Sequence, residues 1–139
     1  MVRRFEIINH KADIGLAVYG RSLGELMANA AEGMFSLMTD ISRIGNSTVR
    51  RIELRNDDEE TLLVEWLNEL LLVFEVERLL FSSFDVTVEV GNRLLADCRG
   101  EKFNPTKHSV NREIKAATYH NLNIVRGADG YSVKIIFDI

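Results

Sequence analysis

Apolar residues recur at helical spacing in two stretches, both before residue 80, and alternate at period two through most of the remaining chain. Strands, then two helices, then hairpins cannot wind into regular βαβ units, so this order points to an α+β fold. The first helix opens at a capping box, Ser22 with Glu25, and presents Leu23, Leu26, Met27, Ala30, Ala31, Met34, Phe35 and Met38 on one face until Thr39-Asp40. Its methionines read as core fillers rather than a cofactor box. The second follows four consecutive carboxylates, Asp57 to Glu60, placed where the positive end of a helix dipole favours them. It carries Leu62, Leu63, Trp66, Leu67, Leu70, Leu71 and Phe74 inward and extends to about Arg78.

Strands are predicted over 4–9, 14–19, 48–54, 81–90 and 93–99, the last two joined by a turn at Gly91-Asn92. A loop follows from Gly100 to Asn111, then a long strand from Glu113 to Val125, a turn over Gly127 to Gly130, and a closing strand from Tyr131 to Asp138. The expected architecture is a mixed, mainly antiparallel sheet with two helices packed on one face, a single domain over residues 1–139.

With 139 residues and 46% hydrophobic content the chain can bury one core of its own. A net charge of −4 is not that of a dedicated nucleic-acid binder, so any link to RNA is expected to run through a protein partner rather than strong direct binding. The single cysteine, Cys98, cannot form an internal disulfide, and with three scattered histidines it makes no zinc framework, which suits a reducing cytoplasm. No apolar run has the length of a membrane span and no leader pattern opens the chain, so a soluble, unexported, cytoplasmic protein is expected.

None of the motifs for phosphate cradling, zinc hydrolysis, disulfide exchange or acyl transfer is present, so an enzyme is not expected. What stands out is oxygen chemistry. By period two Asp138 shares a strand face with Lys134 and Ile136, opposite Ile135, Phe137 and Ile139, and the terminal carboxylate of Ile139 lies one residue beyond it. If Asp13 comes near, three carboxylates crowd together, and a hard divalent cation with oxygen ligands relieves their repulsion. The plainer alternative is that each aspartate is solvated or caps a turn. His10 and His120 are ligands, proton carriers or ordinary strand-end residues. Glu65 and Glu69, one turn apart, are a solvated face or a docking surface for a basic partner. Cys98 lacks the basic surroundings that make a thiolate.

The run His10-Lys-Ala-Asp-Ile-Gly15 resembles the His-Thr-Ala-Asp-Ile-Gly opening of the archease family. Further blocks of that family are matched in order: Ala30 to Asp40, Leu63 to Leu71, Leu80-Phe-Ser82, Gly100-Glu101, Glu113 to His120 and Ile136-Phe-Asp-Ile139. The resemblance covers essentially the whole chain. It implies a small cytoplasmic, non-catalytic protein factor for the RtcB-type RNA ligase of tRNA splicing, promoting the ligase's metal-dependent guanylylation by GTP and its multiple turnover. It also implies a metal site on Asp13, Asp138 and the terminal Ile139, for which hard-ligand logic favours calcium, magnesium or manganese over zinc, with calcium the expected occupant. Family members have also been described as chaperone-like modulators of a tRNA cytosine-5 methyltransferase, which gives a second expected partner. Two departures bear on the site: Lys11 stands where threonine is usual, bringing a cation beside it, and Asn104 where aspartate is common. The ligase is expected to dock around the carboxylate corner, with Glu101, His108 and His120 on its rim.

Overall fold

The Ser22 hydroxyl accepts from the Glu25 amide and the Glu25 carboxylate accepts from the Arg21 amide, so the helix entry foreseen at Ser22 forms as a near capping box. The computed structural model describes residues 4–9 and 13–139. His10, Lys11 and Ala12, and with them the readings placed on His10 and Lys11, lie outside the described residues. In chain order the elements are β1 (Phe5–Asn9), β2 (Asp13–Gly20), α1 (Leu23–Met38), a short 3₁₀ turn (Ile41–Arg43), β3 (Thr48–Arg55), α2 (Glu59–Glu77), β4 (Leu79–Glu89), β5 (Arg93–Lys102), β6 (Ala116–Ala117), β7 (Val125–Gly127) and β8 (Gly130–Asp138).

This is the α+β architecture read from the sequence, with one refinement: the strands divide into two sheets. The first runs β1-β2-β8-β6, with β7 also paired to β8, and the second runs β3-β5-β4. Each of these pairings is antiparallel. The inward rows of both sheets and the apolar faces of both helices share one core. Trp66 of α2 is fully buried and its indole N–H donates to the Met27 carbonyl of α1 at 2.9 Å, which satisfies its polar edge inside an otherwise apolar contact. Phe35 of α1 packs edge-on against Phe81 and stacks on Phe84, tying α1 to β4.

The carboxylates ahead of α2 do more than meet the helix dipole. Asp58 caps the Thr61 amide, Glu59 pairs with Arg126, and Glu60 accepts from the Ile124 amide at 2.9 Å, so the start of α2 also anchors the segment leading to the last hairpin. Glu89 pairs with Arg93 across a three-residue hairpin loop, Val90 to Asn92, in which Gly91 and Asn92 take φ 84° and 55°, the left-handed region that a tight hairpin needs.

Two sequence expectations are corrected. The long strand expected from Glu113 to Val125 pairs only at Ala116–Ala117 and Val125–Gly127. Between them Asn121 takes φ 51° and the Leu122 amide turns back to the Tyr119 carbonyl, so the alternating side chains there do not lie on a ladder. The loop expected from Gly100 begins later, because β5 stays paired with β4 through Lys102. At Gly100 a side chain would collide with the Leu80 carbonyl, where β4 shifts register between Phe81 and Ser83, so only glycine lets the strands stay this close. No helix of the described residues is long and apolar enough to cross a membrane.

Candidate functional site

Asp13 opens β2 and Asp138 closes β8, and the antiparallel register sets them directly opposite each other. Ile14 and Phe137 beside them turn into the core, 1% and 0% exposed, so the two carboxylates share the outward face. Residues opposed in this way have Cβ atoms about 5 Å apart. Asp13 is half-buried and Asp138 exposed. On the other side of Asp138, β6 contributes Ala116, a small side chain that leaves the flank of the carboxylates open. The Ile139 side chain packs against the core, which fixes the backbone just beyond Asp138.

The strand end that carries Asp138 is held from the side. The Lys115 amide donates to the Asp138 carbonyl at 2.8 Å, and the Thr118 amide and hydroxyl both donate to the Ile136 carbonyl. The intervening Ala117 is gripped by Asn68 of α2, whose amide nitrogen donates to the Ala117 carbonyl while its oxygen accepts from the Ala117 amide. Periodicity gives no hint of Asn68 or of the role of the Lys115 backbone. The signals are two of the matched blocks, Leu63 to Leu71, which holds Asn68, and Glu113 to His120, which holds Lys115 and Ala117.

Glu101 and His108 are not on a rim. The Glu101 Oε2 atom accepts from the Gly45 amide at 2.6 Å, the Lys107 ammonium at 2.7 Å and His108 Nε2 at 2.8 Å. The Gly45 amide, followed by Lys107 and His108, holds the Glu101 carboxyl down at about 2. His108 is only 3% exposed and its Nδ1 accepts from the Asn104 amide at 3.0 Å, so Nε2 carries the proton given to Glu101. Asn104 turns its own side-chain oxygen to the Thr106 amide and hydroxyl, a turn-forming role that aspartate fills equally well. From this hub the chain is stitched forward: the Thr39 hydroxyl donates to the Ser109 carbonyl, and the Asn111 and Arg112 amides to the Met38 carbonyl. His120 is exposed beside Asn121. Glu65 accepts from Asn56, and Glu69 faces the Arg50 guanidinium, so neither forms a free acidic face. Cys98 is buried, and burial, aided by nearby Asp97, pushes its thiol up to about 12, which makes it no nucleophile.

Asp13 and Asp138 supply hard oxygen donors, and two like charges set opposite across a strand pair repel unless something positive lies between them. Among the described residues no three His, Cys, Asp or Glu side chains converge as a ready-made cage. The donor set fits an oxygen-liganded divalent cation only if water, backbone carbonyls or a partner complete the coordination.

Fold and site together define a small α+β protein that offers a carboxylate pair at one sheet end. Residues 5–139 match the Archease protein family, and the chain belongs to that family. It is 40% identical to the protein archease of Sulfolobus acidocaldarius over 98% of this chain and 99% of that one. It is 37% identical to that of Methanosarcina acetivorans, with 99% and 97% covered. The solution structure of Methanobacterium thermoautotrophicum protein 1598 superposes with a TM-score of 0.85 at 34% identity, covering 97% of this chain and 98% of that one. A crystal structure from Thermotoga maritima, described as an archease and possible chaperone, shares the fold at a TM-score of 0.65 and 22% identity over the whole of both chains.

Proposed function

We propose that this protein is a non-catalytic, cytoplasmic factor for an RtcB-type RNA ligase, acting in tRNA splicing by promoting the ligase's guanylylation by GTP and its repeated turnover. The observation that carries the reading is the register that sets Asp13 opposite Asp138 on the outward face of the first sheet. In this reading Asp13, Asp138 and the terminal carboxylate of Ile139 hold a divalent cation, calcium or else magnesium or manganese. Such an ion, when bound, supplies positive charge against phosphate oxygens. The protein's own part is positional. The Lys115 and Thr118 bonds hold the end of β8, Asn68 holds Ala117 beside it, and the flank at Ala116 is left open for the ligase to approach.

The test is labelling of the cognate ligase by radioactive GTP with manganese, with and without this protein and its Asp138→Ala variant. Faster labelling by wild type and not by the folded variant supports the reading; equal stimulation by both removes the carboxylates from it. A second reading, chaperone-like modulation of a tRNA cytosine-5 methyltransferase, is supported by the description of the Thermotoga protein and by two exposed apolar residues one turn apart on α2, Leu72 and Val76. It requires no metal, so Asp13→Ala would leave a methyltransferase-solubilising activity intact.

A further inference from the structure

A groove of about 660 Å³ runs between the C-terminal half of α2 and residues 110–115, on walls that include neither Asp13 nor Asp138. Met38, Leu71 and Ile114 lie nearly buried at its base, and the apolar surface that a ligand can reach is that of the half-buried Phe74 and the exposed Val110. Three cations line it. Arg78 ends α2 in the left-handed region at φ 59°, and its guanidinium is laid over the Phe74 ring at 4.3 Å and the Phe103 ring at 5.2 Å. The guanidinium N–H groups donate to no described residue, while the backbone N–H donates to the Phe74 carbonyl. Arg112 and Lys115 are exposed on the opposite wall and enter no ion pair among the described residues, although Glu75 and Glu113 also border the groove. Elsewhere Arg4, Arg50, Arg51, Arg93, Lys107 and Arg126 each hold a carboxylate. Arg99, Lys102 and Lys134 are likewise exposed without an ion pair among the described residues, but they do not gather in a groove, whereas three such cations border this one.

We infer that this groove binds the phosphate of a nucleotide, either free or at the end of an RNA chain, and seats the sugar and base on its apolar floor. Guanidinium and ammonium groups match a phosphate's charge and geometry, and an Arg78 already ordered by two rings loses little freedom on binding. The apolar floor suits a flat, weakly polar body and gives no purchase to an inorganic ion. An extended phosphopeptide is disfavoured by the backbone: the amides of Asn111 and Arg112 are given to Met38 and that of Lys115 to Asp138, so this wall has little left for strand pairing. The inference stands apart from the ligase reading, because it concerns binding to this chain alone.

The test is an amide-resolved NMR titration of the full chain with adenosine 5′-monophosphate, with a short RNA bearing a 3′-phosphate, and with the same RNA bearing a 3′-hydroxyl. Inorganic phosphate and a phosphoserine peptide serve as comparisons. The expected result is a set of shifts confined to residues 110–115 and the end of α2, with affinity falling about tenfold in Arg112→Glu and the melting temperature unchanged. Equal binding of mononucleotide and RNA end assigns a free nucleotide; tighter binding of the 3′-phosphate RNA assigns the chain end. Absence of localised shifts at millimolar ligand, affinity unaffected by Arg112→Glu, or equal binding of inorganic phosphate or phosphopeptide each overturns the inference.

Discussion

Asp13 and Asp138 stand opposite each other on neighbouring antiparallel strands, two carboxylates on one face at the end of a sheet. In the proposed function these two carboxylates hold a divalent cation between them. In thermal melts, calcium or manganese should raise the melting temperature of the wild type and leave Asp138→Asn unmoved. A metal response of equal size in both proteins would place the binding elsewhere.

The Glu101 hub makes a pH prediction. Its folded carboxyl titrates at about 2, below the usual carboxylate range, so its contribution is fully present above about pH 4.5 and fades as the pH falls toward 2. The stability gap between wild type and Glu101→Gln, measured by denaturant unfolding, should be constant from pH 7 to 5 and close at lower pH. His108→Ala, which strips a buried partner from Glu101 and from the Asn104 amide, should cost about 2 kcal/mol at pH 7.

Asn68 grips both the carbonyl and the amide of Ala117, so Asn68→Ala breaks two bonds at once and should cost about 2 kcal/mol. Hydrogen exchange should speed first at residues 115–118, ahead of the β2–β8 ladder. Uniform acceleration across the sheet would show that Asn68 does not act locally.

The Cys98 thiol, pushed up to about 12 by burial, is protonated at neutral pH and shielded from reagents. A thiol-reactive chromophore should label the native protein no faster than the protein unfolds, and label it at once in denaturant.

Elements whose signal is local were legible before the fold was seen: the Ser22 cap, the apolar faces of both helices, the Gly91-Asn92 hairpin and the alternation around Asp138. Local pattern could not show that β2 and β8, far apart in the chain, become neighbours in the register that sets Asp13 against Asp138. Nor could it divide the strands into two sheets, because each edge is decided by packing against α1 and α2. Residues 113–125 misled because alternation persists there while Asn121 and the grip of Asn68 and Glu60 on the backbone take the segment off a ladder. Glu101 and His108 read as a polar rim because burial of a hydrogen-bonded pair leaves no trace in hydropathy.

The proposed role can be read out by counting ligation turnovers of a split tRNA per molecule of the cognate RtcB-type ligase, with GTP and manganese. The additions compared are untagged wild type, Asp138→Asn and a variant extended past Ile139. Wild type should support many turnovers and Asp138→Asn about a single one, with the extended chain falling between them. Turnover supported equally by Asp138→Asn, shown to be folded, would contradict that role.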